Sequence, residues 1–287
     1  MIKTILKLIL CIIVYAIVFI MANVLMPFSQ SFKELAGSGS TLGVLYILIF
    51  AACVCFTIFF IIRNTHLKGI KLFFNTVFVV FFIQSFMTQI ETMFFSYAFP
   101  AFSKSDIIFV TLVSLFSVLA VVPLLIKFFQ NKDFAFERKK INIKSILIKL
   151  SVIGVIYLFI YMIFGYFVAW QFEELRIFYS GSPEKISFWG QLFNNFKTTP
   201  IIFPFQIIRG ILFGVAIIPI GNMVNKNKII FIICVCLLYL CTVIQLIIPN
   251  ALFPDMVRIV HLLEMSSSML LFGVVVGIIL WGNGDNI

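Results

Sequence analysis

Eight apolar runs, each long enough to cross a bilayer, dominate this chain. They lie at about 4–26, 43–62, 72–99, 107–127, 147–170, 201–220, 229–248 and 257–281. A helix rises 1.5 Å per residue, so ~20 apolar residues cover a hydrocarbon core ~30 Å thick. Hydrocarbon offers no partner to backbone N–H and C=O groups, and a helix satisfies them within the segment. The expected fold is therefore all-α: a polytopic integral membrane protein, a single domain over 1–287 built as a bundle of about eight transmembrane helices. The composition agrees, at 62% hydrophobic and 11% charged, against ~25% charged in a soluble domain. This excludes a soluble enzyme, a disordered chain and a disulfide-stapled secreted domain.

The net charge is +10, from 21 Lys and Arg against 11 Asp and Glu. In a soluble protein that excess suggests nucleic acid. Here the basic residues sit in short loops on one side of the spans, so no nucleic-acid partner is expected. With the N-terminus in the cytoplasm, fourteen Lys and Arg fall inside and six outside, and Arg209 lies within a span. That asymmetry sets both termini inside, in a plasma membrane or bacterial inner membrane. Anionic headgroups on the cytoplasmic side are the simplest partner for the basic loops, above all for 127–149 with seven basic residues. The first run, from Leu8 to Met26, exceeds a typical signal-peptide core of ~7–15 residues and reads as an uncleaved span.

The six cysteines, Cys11, Cys53, Cys55, Cys234, Cys236 and Cys241, all fall within apolar runs and form no CxxC. They read as small core or lipid-facing residues. Gly210/Gly214 and Gly273/Gly277 are small-xxx-small pairs that let helices approach closely. Eight spans divide naturally as four plus four, as in duplicated transporters, yet no motif recurs between the halves. The loop at 171–199, outside, contains Ser182-Pro183-Glu184, which reads as a helix start with Ser as N-cap and Pro at N1. Ile186, Trp189, Phe193 and Phe196 then recur at helical spacing, so a short amphipathic helix on the membrane surface is expected.

A charge at the bilayer centre costs ~2.5–3.5 kcal/mol on the insertion scale. The ionisable residues inside spans are thus the strongest functional pointers: Glu91, Arg209, His261 and Glu264. Gln84, Thr88 and Glu91 form an i, i+4, i+7 stripe on span 3. Gln206 and Arg209 are i, i+3 on span 6. His261, Glu264 and Ser268 share a narrow arc on span 8, which Arg258 extends toward the surface. Glu91, Arg209 and Glu264 each lie nine residues from an expected outer end, ~14 Å deep. The spacing predicts an outward-opening polar cavity lined by spans 3, 6 and 8, with Glu173, Glu174 and Arg258 at its rim.

Two acids facing one Arg and one His do not balance. A proton or a cation at that site closes the charge, and no other cofactor is expected. The leading expectation is a small secondary transporter or permease with a small-molecule or lipid substrate. Two readings compete. In the first, Glu91, His261 and Glu264 are weak metal-ligand candidates, His261-Leu-Leu-Glu264 supplying an H-x-x-E pair for an intramembrane enzyme on lipid or lipid-linked substrates. In the second, Arg209 merely neutralises a carboxylate and the chain is a non-catalytic subunit supporting a protein partner. No nucleotide-binding, serine-hydrolase or potassium-filter motif occurs.

Overall fold

The computed structural model of the chain describes residues 2–36, 42–99, 102–130, 142–224, 227–249 and 253–281. Among them there are only helices and connecting turns. Seven helical segments are long and apolar enough to cross a membrane. Span 1 is α1 (Ile2–Leu25), followed by the short α2 (Gln30–Ala36), and span 2 is α3 (Leu42–Asn64). Span 3 is one continuous segment in three parts: α4 (Gly69–Phe81), a π-helical turn (Phe82–Phe86) and α5 (Met87–Phe94). Spans 4 and 5 are α6 (Lys104–Phe129) and α7 (Ile143–Phe167). Two short helices follow, α8 (Glu173–Ser180) and α9 (Phe188–Thr198). Span 6 is α10 (Ile202–Met223) and span 8 is α12 (Asp255–Leu280).

The seventh apolar run behaves differently. Its helix α11 (Lys228–Leu240) has 13 residues, after which the chain turns and resumes as a 3-10 segment, Ile244–Ile247. Thirteen residues cover only ~20 Å. Non-helical backbone at such depth is stable only when protein surrounds it, and Cys241, Thr242 and Val243 are all buried.

The neighbours of each span reveal a repeat. In the first half, span 1 packs on spans 2 and 4, span 4 also packs on 2 and 3, and span 2 touches span 3. In the second half, span 5 packs on 6 and 8, span 8 also packs on 7 and 6, and span 6 touches span 7. Adding four to each span number maps one set onto the other. The halves meet through spans 3 and 6, 2 and 7, and 3 and 7, a set that maps onto itself. α4 and α11 each run 13 residues, after which span 3 continues through its π turn and span 7 ends and turns.

Small residues set the tightest contacts. A Cβ on Gly210 would lie 2.5 Å from Tyr157 Cβ and 2.8 Å from Gly154 Cα, so α7 and α10 touch backbone to backbone. Gly273 does the same against Cys236, at 2.9 Å from its Cα, and joins α12 to α11. Both glycine pairs act as their spacing predicts. Hydroxyls within the spans return to their own helix: Thr57 donates to Cys53 O, Thr111 to Ile107 O and Ser117 to Val113 O. That leaves no unpaired hydroxyl to the hydrocarbon at these positions. The cysteines are free thiols, with Cys11, Cys55, Cys234 and Cys241 buried.

One end of the bundle, here termed distal, carries α2, α8 and α9. The expected helix start at Ser182-Pro183 is not used. Gly181, at φ +72°, ends α8 as a left-handed cap. The next residues run extended because Arg176 Nε donates to Pro183 O at 2.6 Å. Helix α9 begins instead at Phe188, where Ser187 Oγ accepts from Gly190 N. Tyr166 donates to Ile186 O at 2.6 Å and ties that start to α7. Trp189, Phe193 and Phe196 then stand exposed on α9, as their spacing predicts. Residues 131–141 of the basic loop 127–149 lie outside the described residues.

Candidate functional site: a charged cluster at the seam between the halves

Span 3 contributes Glu91 from the last turn of α5. Span 6 contributes Arg209, two turns into α10. Arg209 donates from Nη1 to Glu91 Oε1 at 2.6 Å and from Nη2 to Glu91 Oε2 at 2.7 Å. This fork-to-fork pairing is the strongest form of an ion pair. Arg209 Nη1 also donates to Gln206 Oε1 at 3.0 Å, and Nη2 to Met87 O at 3.4 Å. The guanidinium lies 5.6 Å from the Tyr157 ring, 5.8 Å from Phe205 and 5.9 Å from Phe213. An aromatic cage replaces part of the water that a buried cation loses. Phe94 stacks on Phe205 at 3.9 Å beside the pair, also across the seam.

The polar stripe expected on span 3 is split. The π turn inserts an extra residue, and each residue rotates the helix by ~100°. Gln84 therefore faces span 1, where its Nε2 donates to Tyr15 OH at 2.8 Å, while Glu91 faces span 6. Thr88 Oγ1 donates to Gln84 O and takes no part in the ion pair. Three buried atoms of this region, Gln84 Oε1, Gln206 Nε2 and Arg209 Nε, have no hydrogen-bond partner among the described residues.

Span 8 brings the second acid. Glu264 is 8% exposed. Its carboxylate Oε2 lies 3.7 Å from Nδ1 of His261. His261 Nε2 is in turn 2.9 Å from the hydroxyl of Tyr179 on α8. Three phenols link the two acids: Tyr157, Tyr161 and Tyr179 each lie within the fields of both Glu91 and Glu264, and Tyr157 and Tyr161 also within that of Arg209. Burial, reinforced by the two carboxylates, holds the Tyr179 hydroxyl protonated far above the ordinary phenol range. Glu91, Arg209, His261 and Glu264 thus belong to one electrostatic cluster. It is built from two paired centres, Glu91–Arg209 and His261–Glu264.

The remaining candidates serve other ends. Ser268 Oγ donates to Met265 O within its own helix. Arg258 donates to Asp255 at 2.8 Å and to the carbonyls of Leu246 and Ile247, so it clamps the broken end of span 7 onto span 8. Glu173 and Glu174 are exposed in the first turn of α8, where carboxylates complement the helix dipole. Glu91, His261 and Glu264 do not converge as a ligand set, and among the described residues no group of three His, Cys, Asp or Glu side chains is placed to hold a metal ion.

Span 6 packs on both 3 and 8, as the polar stripes predict, and span 5 fills the space between 6 and 8. Tyr157, Tyr161 and Tyr179 are the members of the cluster that sequence reading passed over. Tyr157 and Tyr161 look like packing residues on an apolar helix, and Tyr179 is brought in only because α8 folds back over α12.

No protein-family model, no curated protein and no solved structure matches this chain. The fold itself defines a multi-pass helical membrane protein of two similar halves, with a buried charged cluster at their seam.

Proposed function

We propose that the chain is a small secondary transporter or permease whose substrate passes along the seam between the two four-span halves. One observation carries this reading: span 7 breaks after α11, its counterpart span 3 carries a π turn at the matching place, and Glu91 and Arg209 pair across the seam beside that turn. Irregular helices in matching positions of a repeat are a usual setting of a transport site: the break in span 7 frees backbone polar groups, the π turn in span 3 re-aims its side chains, and the halves can rock about them. Glu264 supports a coupling role. The charge of Arg209 is matched by that of Glu91, so a proton or a cation accompanies Glu264 whenever the site is neutral. In this reading the distal end faces outside, both termini are cytoplasmic, and the basic loops of the other face meet anionic lipid.

The test is flux through the full chain in liposomes loaded with a pH-sensitive dye. Solutes of different classes (amino acids, sugars, organic acids, inorganic cations) are offered under an imposed membrane potential. At least one class is expected to drive internal pH change or its own uptake, lost in Glu264→Gln. A protein inert toward every class sinks the transporter reading.

The bidentate closure of Glu91 on Arg209 also suits a purely structural pair, and with it a non-catalytic subunit. A stable partner retained through purification, with no effect of Glu264→Gln on that complex, distinguishes this second reading.

A further inference from the structure

The two halves share an aromatic corner at the distal end, and they differ there in one informative way. In each half a short helix region after the first span lays two rings on the start of the fourth. In the first half Phe32 meets Phe102 at 5.1 Å and Phe28 meets Phe109 at 5.8 Å. In the second half Phe178 meets Phe253 at 6.0 Å and Tyr179 meets His261 at 5.6 Å. The outer pair is Phe on Phe in both. The inner pair is Phe on Phe in one half and Tyr on His in the other. Apolar rings suffice to hold this corner, as Phe28 and Phe109 demonstrate, so packing does not call for the polar pair.

Placed there, the polar pair makes a line of groups ending at the buried Glu264. Tyr179 is half-buried on α8, the His261 side chain is 18% exposed, and the Glu264 side chain is 10% exposed. The hydroxyl to Nε2 distance is 2.9 Å and Nδ1 to the carboxylate is 3.7 Å. Resting on the transport reading above, we propose that Tyr179, His261 and Glu264 form a proton relay from the distal face, which makes the coupling ion a proton and the distal end its entrance.

The transfer balances without another reactant. An outer hydronium gives a proton to the Tyr179 oxygen as the Tyr179 hydroxyl proton passes to His261 Nε2. His261 Nδ1, 3.7 Å from Oε2, passes its proton to Glu264 when rotation of the carboxylate or one bridging water closes that gap to hydrogen-bonding reach. Water leaves, Tyr179 is again a phenol, Glu264 is a neutral acid, and a flip of the ring restores the first tautomer of His261. Imidazole is suited to this because its two nitrogens act as acceptor and donor at neutral pH.

The charged groups around the line have partners of their own or lie exposed. From span 3, Glu91 is held by Arg209 of span 6. On α12, Arg258 is held by Asp255 and backbone carbonyls. On α8, Arg176 is held by Pro183 O and Trp170 O, and Glu173 and Glu174 lie exposed at its start. The phenols nearby, Tyr157 and Tyr161 on α7 and Tyr97 beyond α5, are neutral at physiological pH.

The experiment is time-resolved infrared spectroscopy of the full chain in lipid nanodiscs after photorelease of protons. Wild-type protein is expected to develop a protonated-carboxyl band that is absent in Glu264→Gln and shifted in Glu264→Asp. Tyr179→Phe and His261→Asn are expected to reach their own equilibrium band but at least ~10-fold more slowly, the loss of a placed proton-transfer group. Melting curves of all variants verify folding. If the band forms at the wild-type rate in both Tyr179→Phe and His261→Asn, the relay is overturned and the transport reading stands. If wild type shows no band that Glu264→Gln removes, Glu264 takes up no proton; the relay falls, and the transport reading then rests on the flux assay alone.

Discussion

Arg209 and Glu91 are joined by two hydrogen bonds of 2.6 and 2.7 Å across the seam between the halves, yet the two sides are not equally buried. The Arg209 side chain is 3% exposed and that of Glu91 is 21% exposed. Removing the acid leaves a cation in the interior with Gln206 and the Met87 carbonyl as its remaining partners. Removing the cation leaves a carboxylate that reaches water or a proton more easily. Glu91→Gln should therefore destabilise the protein by about 3–5 kcal/mol, and Arg209→Met by less. The double variant should recover much of the loss. Thermal midpoints in detergent, followed with a thiol-reactive dye that reports exposure of the buried cysteines, test the order. A midpoint for Glu91→Gln at or above that of Arg209→Met contradicts it.

Gly210 is the closest point between α7 and α10. A methyl there meets backbone carbon and the Cβ of Tyr157, none of which is the free end of a flexible side chain. Gly210→Ala should push the helices apart and cost about 1–3 kcal/mol. Gly165, on α7 with nothing within 4 Å of its added Cβ, is the matched control. Gly165→Ala should be neutral or slightly stabilising, since Ala is the better helix former. Equal midpoints for the two variants would show that the α7–α10 contact is looser than these distances.

The spans were legible because membrane hydrocarbon imposes a length and a composition that few other structures share. The charged residues were legible for the same reason, since Glu91, Arg209 and Glu264 stand out against an apolar background. Their pairing was not, because nothing in sequence spacing tells whether Arg209 closes on Glu91 or on Glu264. The π turn at Phe82–Phe86 left no mark, so the stripe from Gln84 to Glu91 looked continuous. The repeat left none either, since no motif recurs between the halves. Apolar spans tolerate most exchanges among Leu, Ile, Val and Phe, so duplicated helices keep their neighbours long after they lose their sequence likeness. The contact of Tyr179 with His261 depends on α8 folding back at the distal end, a tertiary event.

Asp106 is the most heavily hydrogen-bonded carboxylate among the described residues. It is fully buried and accepts from Ser29 N at 2.8 Å, Ser29 Oγ at 2.7 Å, Ser103 N at 2.9 Å and Ser103 Oγ at 2.6 Å. It thereby completes the capping box of α6 and ties the entry of α2 to it. Asp106→Ala leaves the N–H groups of half-buried Ser29 and exposed Ser103 without their acceptor, a loss of about 0.5–2 kcal/mol as for other helix caps. The effect should be local first: protease cleavage between α1 and α2 should accelerate before the thermal midpoint collapses. Unchanged cleavage would remove Asp106 as the anchor of that loop.

His66 sits in the turn between spans 2 and 3, where its backbone N–H donates to Met223 O at 3.3 Å. Burial holds its pKa below the ordinary 6.5. Between the lowered native value and the unfolded value, the unfolded chain binds the proton and the native chain does not. Stability therefore rises with pH through this window, and acidification below about pH 6.5 erodes it. Wild type should lose thermal midpoint between about pH 7.5 and pH 5, and His66→Gln should lose less. An identical acid slope in both proteins places the sensitivity elsewhere.

Helix α9 makes the last prediction. Trp189 is 73% exposed, and Phe193 and Phe196 are each 66% exposed on the same side of an 11-residue helix. Lys197 lies over Phe193 at 5.5 Å, with its charge free to reach a headgroup while its stem covers the ring. Such a face is stable beside spans only if lipid covers it, at the level where tryptophan prefers to lie. With Trp170 and Trp281 replaced by Phe, the remaining Trp189 emission should be blue-shifted in nanodiscs and strongly quenched by lipids brominated near the headgroup. Aqueous iodide should quench it weakly. Strong iodide quenching with no effect of brominated lipid would lift α9 off the membrane.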